Sequence, residues 1–498
     1  MTAVASDTPS HEGILKRIAR ELTRVVALQI VGALLVQVAG FALARLLVER
    51  DFGVYAIGVF FLGVGSLLGD EGIAAALLIK RDALTDEECE VAVTFLLALG
   101  LAMATVFLAG SGLIARHYHL EGAEVTVLRA MTPLFLVVPL RAVPYLRMQR
   151  ALRLSDVARI EVLAGIAQQV AAIALAWATR DVWALVGAHY VGAVTQLALA
   201  WRAAPGFSGF SLKWRLLRPL LTYGLKVQGL SIAAFLKDNV SAIYLGAALG
   251  PRAVGVFDFG VRYAQAPVSA VNALARAQLS VYSRFAATDP ELHMAVAAIT
   301  RLALLLGLAM LVTMSVGATA IIPAVYGARW LASVPVVYGL VANMAGGLIA
   351  GPLFALLQAQ GRAGLAVRLF VVWTASTWGL VLAVRDEGIG AVAWAHSTMT
   401  VITVFWLVRW AEQHLQRPLL EGYTRACAAA VSAIAGVWIL GRIPPLASTL
   451  KSGWWAAACS FALYAVMLVA FERGRVVREL TWLVKSATAT RQPAATNA

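Results

Sequence analysis

Residues 254–279 read VGVFDFGVRYAQAPVSAVNALARAQL, a mostly apolar segment that carries polar side chains at a regular spacing. The intervals between the polar positions are four, three, four, three and four residues, which is the rhythm of one face of an α-helix. These positions are Asp258, Arg262, Gln265, Ser269, Asn272 and Arg276. Because 60% of the chain is hydrophobic, we place this helix at membrane depth, where a charge tends to face a water-filled cavity or a partner. The segment therefore predicts a membrane protein with a polar interior.

Apolar stretches of similar length recur along all 498 residues. Each is about 18–25 residues long, which is enough to cross a hydrocarbon core about 30 Å thick. We count fourteen, and they predict an all-α integral membrane fold; the count falls to twelve or thirteen if a weak span, such as the Pro-rich fourth, is re-entrant. The predicted spans are 25–48, 52–79, 91–114, 125–146, 157–177, 182–201, 219–249, 254–279, 301–322, 334–357, 365–384, 389–410, 423–440 and 454–471.

A polar segment at 202–218 divides the first twelve spans into two sets of six. It contains Pro205 and Gly206, followed by Lys213, Trp214 and Arg215, and this order predicts a linker that leads into a basic interfacial helix. The resulting division is a cytoplasmic N-terminal segment at 1–24, an N-lobe at 25–201, the linker at 202–218, a C-lobe at 219–411, two further helices within 423–471 and a cytoplasmic tail at 472–498.

The two sets of spans share a short sequence pattern. Gly53 opens a Gly-Val-Tyr sequence after the hairpin between spans one and two, and Gly255 opens a Gly-Val-Phe sequence after the hairpin between spans seven and eight. This placement favours an internal repeat, and repeated halves with a substrate site between them are a transporter architecture. Within span two, Gly58 and Gly65 share a helix face, which indicates close packing or, alternatively, a helix that bends or slides during transport.

The formal net charge is +14, with 41 Lys and Arg against 27 Asp and Glu. In a soluble protein this balance would indicate a nucleic-acid partner, but in a membrane protein the positive-inside rule explains it. With the N-terminus in the cytoplasm and fourteen crossings, 25 basic residues fall in inside segments, 8 in outside loops and 8 within spans. This bias predicts an even number of spans, two cytoplasmic termini and no nucleic-acid partner.

The sequence carries no Walker loop, no HExxH motif and no nucleophile elbow, and its loops are too short for a soluble catalytic lobe. Cys89, Cys427 and Cys459 lie far apart, without the spacing of a metal or redox site. His189 and His396 lie in apolar spans, and we interpret both as structural. We therefore predict no catalytic residues, no metal and no cofactor.

Charged residues within the spans favour an anionic substrate. Eight basic and five acidic side chains lie within or near the spans, and this excess of positive charge suits a phosphate or diphosphate group. Lys226 and Lys237 are eleven positions apart and share one face of span seven, while Lys237 and Arg262 are the deepest cations. Asp258 lies four residues before Arg262, so the alternative is that these two charges neutralise each other.

Several segments resemble the polysaccharide flippase family, the Wzx-like branch of the multidrug/oligosaccharidyl-lipid/polysaccharide (MOP) exporters. Residues 50–55 read RDFGVY and residues 70–81 read DEGIAAALLIKR, similar to the entry and exit of the family's second helix. Residues 323–330, PAVYGARW, resemble its external Pro…Gly-x-x-Trp segment, and residues 357–362, LQAQGR, resemble the end of its tenth span. Glu71 departs from the pattern, because the family usually has an apolar residue there.

The resemblance implies a V-shaped bundle of two six-helix lobes plus two C-terminal helices, which opens alternately to the inside and the outside. It implies movement of undecaprenyl-diphosphate-linked oligosaccharides from the cytoplasmic to the outer leaflet of a bacterial inner membrane, for exopolysaccharide, capsule or lipopolysaccharide O-antigen assembly. The expected partners are the lipid bilayer and this glycan substrate, with a polysaccharide polymerase and its chain-length machinery as further candidates.

Specific residues follow from this expectation. The candidate contacts to the diphosphate or to acidic sugars are Lys226, Lys237 and Arg262. The candidate contacts to sugar hydroxyls are Gln228, Asn239, Gln265, Ser269 and Asn272, and the candidates for ion coupling are Asp70, Glu71 and Asp258. The rival hypothesis is a cation-coupled multidrug or metabolite antiporter of the same superfamily, for which the basic interior is less suited. A scaffold or a glycosyltransferase-like enzyme would leave the deep charges unexplained.

Overall fold

The computed structural model describes residues 35–79, 84–151, 153–204, 209–275, 289–443 and 453–472, with the single positions 28, 31–32, 278, 282, 285–286 and 449. Within these residues the regular structure is helical and no strand occurs, so the all-α prediction is confirmed. The long helices of this part of the chain are α1 (Leu35–Leu46), α2 (Glu49–Ile79), α3 (Asp86–His117), α4 (Gly122–Met131), α5 (Leu134–Arg150), α6 (Leu154–Thr179), α7 (Trp183–Ala203), α8 (Trp214–Asp238), α9 (Pro251–Ala275), α10 (Pro290–Val316), α11 (Val334–Ala359), α12 (Ala363–Ala383), α13 (Ile389–Leu415), α14 (Leu420–Leu440) and α15 (Trp454–Glu472).

Eleven helical segments of the described residues are long and apolar enough to cross a membrane, or twelve if a bent pair near the end of α8 counts as one span. The membrane-protein prediction is therefore confirmed, but the predicted total of fourteen is not. Two predicted spans account for the difference. Predicted span one begins at residue 25, outside the described residues, and only its later part is seen, as the short helix α1. Predicted span eight is α9, which carries the polar stripe and is not among the candidate spans.

Large apolar side chains cover the outside of the helices. Leu113, Trp177 and Val469 are each 74% exposed. A soluble protein rarely exposes a large continuous apolar surface. In a bilayer such a surface contacts lipid, and the helices satisfy their own backbone hydrogen bonds there.

Local sequence explains where several helices begin and end. Thr85 forms a capping box with Glu88 at the start of α3: each side chain accepts the other's backbone N–H at 3.2 Å. Acidic residues fill the first turn of α3 and Arg116 lies in its last turn, which complements the helix dipole. Trp214 begins α8, so the basic segment after the linker continues without a break into that helix.

The described fold comprises two compact units, residues 1–258 and residues 259–498. In the first unit, the glycines of α2 allow close packing, because a Cβ at Gly58 would overlap the sulfur of Met131 and a Cβ at Gly65 would overlap the Phe135 ring edge. These contacts support the close-packing interpretation of the two glycines.

The two Gly-Val-aromatic sequences meet at a reciprocal crossing within the first unit. A Cβ at Gly53 would overlap the carbonyl oxygen of Pro251, four residues before Gly255. A Cβ at Gly255 would overlap the carbonyl oxygen of Glu49, four residues before Gly53. The starts of α2 and α9 therefore make the same contact in both directions, as two equivalent positions of a repeat would.

The second unit has its own apolar core, drawn from α10 to α15 with Val268 of α9. Trp330 is fully buried and stacks on Phe259, with ring centroids 4.2 Å apart. Burial also raises the pKa of the nearby Tyr326 hydroxyl, which therefore stays neutral. The family-like segment at 323–330 thus anchors the connection between α10 and α11.

Candidate functional site

The predicted polar stripe lies on α9. Asp258 is half-buried, while Arg262 and Gln265 are exposed. Ser269 and Asn272 belong to the same helix, but their side chains lie outside the described residues, as does Arg276. For the described positions, the stripe is therefore an accessible polar face on a predominantly apolar helix.

Lys237 lies where α8 breaks. The helix ends at Asp238, a π-helical turn follows at Ser241–Leu245, and the segments on either side are bent by 53°. The Lys237 side chain is 15% exposed, and its ammonium pairs with the Asp238 carboxylate at 2.5 Å. Asn239 donates its side-chain N–H to the Phe235 carbonyl at 2.9 Å, so its amide closes the end of the helix.

The remaining candidates on α8 and α2 are placed only by their backbone. Lys226 and Gln228 belong to α8, and Asp70 and Glu71 belong to α2, but the side chains of all four lie outside the described residues. Their predicted roles stay predictions.

Asp258, the first residue of the stripe, is hydrogen-bonded to the segment that follows the break in α8. The Ser241 hydroxyl, at the start of the π-helical turn, donates to the Asp258 carboxylate at 2.7 Å. The Asp258 carboxylate is therefore in direct contact with this turn.

A second polar site, which the sequence analysis missed, lies wholly within the first unit. A cavity of about 310 Å³ is bounded by α2, α5, α6 and α7. Its polar lining consists of Arg141, Glu161, Gln168, His189 and Gln196.

Hydrogen bonds organise this lining. Arg141 donates to the side-chain oxygen of Gln196, and the Gln196 amide donates to the Tyr145 hydroxyl at 2.8 Å. The Arg141 guanidinium also lies over the Tyr145 ring, 5.8 Å from its centroid. At the other side of the cavity, His189 Nδ1 and the Tyr55 hydroxyl are hydrogen-bonded at 2.8 Å.

A sequence signal for this site does exist. Glu161 and Gln168 are seven residues apart, and so are His189 and Gln196, so each pair lies on one face of its helix. The structure places these two faces on the same cavity. Arg141 comes from α5, where neighbouring prolines obscure the helical periodicity.

Both sites present polar side chains. The cavity offers hydrogen-bond donors and acceptors from three helices, and the described part of the stripe offers the Arg262 guanidinium and the Gln265 amide. Within the described ranges, no group of three His, Cys, Asp or Glu side chains is placed to hold a metal ion.

Comparisons with known proteins relate the chain to a family and to a fold. A family profile described as "Polysaccharide biosynthesis protein" matches residues 42–335, more than half of the chain. The chain is 23% identical over 363 residues to the teichuronic acid biosynthesis protein TuaB of Bacillus subtilis (strain 168), covering 71% of this chain and 74% of that protein.

Solved transporter structures share the fold. The lipid II flippase MurJ in an inward closed conformation superposes with a TM-score of 0.70 at 12% identity, covering 91% of this chain and 99% of MurJ. A multidrug resistance MATE family transporter of the MOP superfamily, in an inward-facing conformation, gives a TM-score of 0.58 at 15% identity, covering 79% and 98%. At these identities the likeness establishes the fold alone.

Proposed function

Because the chain belongs to the polysaccharide biosynthesis protein family, we propose that it is a flippase for lipid-linked glycans. The substrate is an undecaprenyl-diphosphate-linked oligosaccharide, which moves from the cytoplasmic to the outer leaflet of a bacterial inner membrane for exopolysaccharide, capsule or O-antigen assembly. The observation that carries this proposal is the family match over residues 42–335 of a multi-pass helical protein with the MOP transporter fold.

The physical task explains why such a protein needs a polar interior. Each unsatisfied polar group of a glycan costs several kcal/mol in hydrocarbon, and a charged diphosphate costs more. Alternating access supplies polar partners along the route while the polyprenyl tail stays in the bilayer. Lys226, Lys237 and Arg262 are the proposed diphosphate contacts, and Gln228, Asn239, Gln265, Ser269 and Asn272 are the proposed sugar contacts.

The pairing of Lys237 refines its proposed role. Its ammonium pairs with Asp238, whose side chain is 65% exposed. An arriving diphosphate would exchange with this carboxylate, so that the lysine does not remain a buried and unpaired charge in the empty transporter. Asp70, Glu71 and Asp258 are the proposed ion-coupling residues, and the hydrogen bond of Asp258 to the π-helical turn supports its choice.

A reconstituted flipping assay tests this function. Proteoliposomes containing the full chain would receive a fluorescent polyprenyl-diphosphate oligosaccharide, and the outer-leaflet fraction would be followed with time. We expect Lys237→Ala and Arg262→Ala to slow flipping by about tenfold or more, because a hydrogen bond to a charged group contributes about 1.5–3 kcal/mol.

The matched control is Lys213→Ala. Lys213 is also a lysine paired with a carboxylate, that of Glu87, but its side chain is 62% exposed and belongs to the linker. The Lys213→Ala protein should flip the labelled glycan lipid at the wild-type rate. Wild-type rates in both Lys237→Ala and Arg262→Ala would contradict the proposed contacts, and no flipping by the wild type would contradict the flippase itself.

The second candidate is a cation-coupled multidrug or metabolite antiporter. The half-buried Asp258 carboxylate beside the break in α8 is the observation that favours it. Export of a cationic dye such as ethidium from the same proteoliposomes, without glycan flipping, would support this alternative.

A further inference from the structure

The described lining of the cavity in the first unit contains none of the residues proposed above to contact substrate. It is bounded by Leu62 of α2, by α5 from Leu134 to Arg141, by α6 and by α7. A polar cavity among apolar membrane helices is costly to maintain, which points to a ligand.

Small residues create the space in this cavity. Gly165 and Ala164 from α6, with Gly192 and Ala193 from α7, form part of the wall. A Cβ built at Gly165 meets no heavy atom within 4 Å, so the cavity begins directly at its backbone. At Gly192 a Cβ would lie 2.6 Å from the side-chain oxygen of Gln168, so this glycine lets the glutamine extend across α7.

The polar lining is partly satisfied and partly available. Gln196 is held between Arg141 and Tyr145, and His189 is held by Tyr55 through Nδ1. Within the described part of the chain, the Gln168 amide forms no hydrogen bond. The cavity thus combines side chains held in place by their neighbours with an amide that can bind a ligand.

Charge and size together identify the class of ligand. Arg141 and Glu161 give the described lining one positive and one negative charge, so it lacks the surplus of cations that a diphosphate site needs. Its volume of about 310 Å³ lies at the lower end of the range for small-molecule sites, about 300–1,000 Å³, and is roughly ten times the ~30 Å³ that one water occupies. A single ion or a proton relay needs far less space.

A neutral sugar ring matches these properties. Its hydroxyl groups each donate and accept, and the lining supplies guanidinium donors, carboxylate acceptors and amides that do both. We infer that the cavity among α2, α5, α6 and α7 is a binding subsite for one neutral hexose or N-acetylhexosamine unit. This inference rests on the proposed flippase function, because the ring would be one unit of the transported glycan.

A binding experiment tests the subsite without requiring transport. The full chain in lipid nanodiscs would be unfolded thermally in glucose, galactose, mannose, N-acetylglucosamine or N-acetylgalactosamine, with inorganic diphosphate and sodium chloride as separate arms. We expect at least one neutral sugar to raise the wild-type Tm. Diphosphate should not compete for the site.

Two variants and one control make the result specific. Gly165→Leu places a side chain in the cavity, and Gln168→Leu removes the available amide at nearly constant size. Each should weaken sugar binding by about tenfold or more. Gly112→Leu is the matched control, because Gly112 is an exposed helical glycine of α3 whose Cβ would also meet nothing within 4 Å, and it should bind sugar like the wild type.

The outcomes separate this inference from the flippase proposal. If no neutral sugar shifts the Tm, if sodium alone does so, or if Gly165→Leu retains the full sugar shift, the subsite is wrong. In the flipping assay, Gly165→Leu should slow transport of the glycan-bearing lipid while Gly112→Leu does not. Wild-type protein that binds sugar but flips nothing would contradict the transport function and retain the subsite.

Discussion

Gly53 and Gly255 lie where two helices cross with backbone against backbone. A Cβ at either position would overlap a carbonyl oxygen, that of Pro251 or of Glu49, and a backbone carbonyl cannot turn away as a flexible side chain can. We expect Gly53→Ala and Gly255→Ala each to lower the free energy of unfolding by about 1–3 kcal/mol, as overpacking does. Thermal unfolding of the purified protein measures this.

The control for these two variants is Gly110→Ala. Gly110 is also a helical glycine, but a Cβ there meets no heavy atom within 4 Å. Its Tm should stay constant or rise slightly, since alanine favours a helix more than glycine does. An equal Tm for Gly53→Ala and the wild type would contradict the close crossing.

Arg50 offers a second test at the level of single residues. Its guanidinium contacts both carboxylate oxygens of Glu124, at 2.5 and 3.0 Å, and this bidentate pair joins the starts of α2 and α4. The Glu124 side chain is only 14% exposed. We expect Glu124→Gln to cost about 1 kcal/mol, since the charge is lost while the shape is kept.

Asp386→Asn provides the comparison for Glu124→Gln. Asp386 also pairs with an arginine, Arg385, but both side chains are largely exposed and the distance is 3.4 Å. Exposed pairs contribute little to stability, so its Tm should not change measurably. If both variants lowered the Tm equally, the geometry of the Arg50 pair would have no special effect.

At the scale of elements, the break after α8 links Asp258 to the proposed transport cycle. Asp258→Asn can still accept the hydrogen bond from Ser241, but it cannot ionise. We therefore expect its flipping rate to be near that of the wild type without a gradient and to become insensitive to an imposed proton or sodium gradient. Asp258→Ala, which loses the hydrogen bond as well, should be slower under all conditions.

The measurement is the flipping assay with a pH or sodium step across the vesicle membrane. Ser241→Ala is the matched control, because it removes the same hydrogen bond and leaves the carboxylate able to ionise. Its rate should still respond to the gradient. A gradient response in Asp258→Asn would show that coupling resides elsewhere, with Asp70 and Glu71 as the next candidates.

Helical periodicity in the sequence predicted a helix and its polar face well where all the patterned residues lie on that one helix. The polar stripe on α9 is visible because its residues repeat on one face of a single helix. The break between α4 and α5 at Thr132–Pro133 was only partly expected, since several prolines lie nearby and only packing decides which one interrupts the helix.

The cavity of the first unit could not be predicted in this way. Its polar groups come from three helices, and each helix contributes only one or two of them. The pair Glu161 and Gln168 gives a weak signal, and nothing in the chain order indicates that it faces His189 and Gln196. Tertiary packing, which brings Gln168 against Gly192, supplies that information.

At the scale of the whole molecule, the bilayer acts as the solvent of the fold. The exposed apolar surface needs lipid, and we predict from the surplus of basic residues which loops stay in the cytoplasm. The topology predicted from this surplus depends on α9 crossing the membrane. With its polar stripe, α9 is not among the helices that are long and apolar enough to be candidate spans. The number of crossings therefore depends on whether the helix that carries the stripe crosses the membrane.

Site-directed labelling answers this question. The three native cysteines are free, so they can be replaced by alanine before single cysteines are introduced at Asp181 and Arg417, both exposed. Seven helices, α7 to α13, separate these positions. If all seven cross, a membrane-impermeant maleimide should label Asp181→Cys in intact cells and Arg417→Cys only after permeabilisation. If α9 does not cross, six crossings remain and both positions would be labelled from one side. Opposite sides would place the polar stripe of α9 across the bilayer, where a charged substrate could use it.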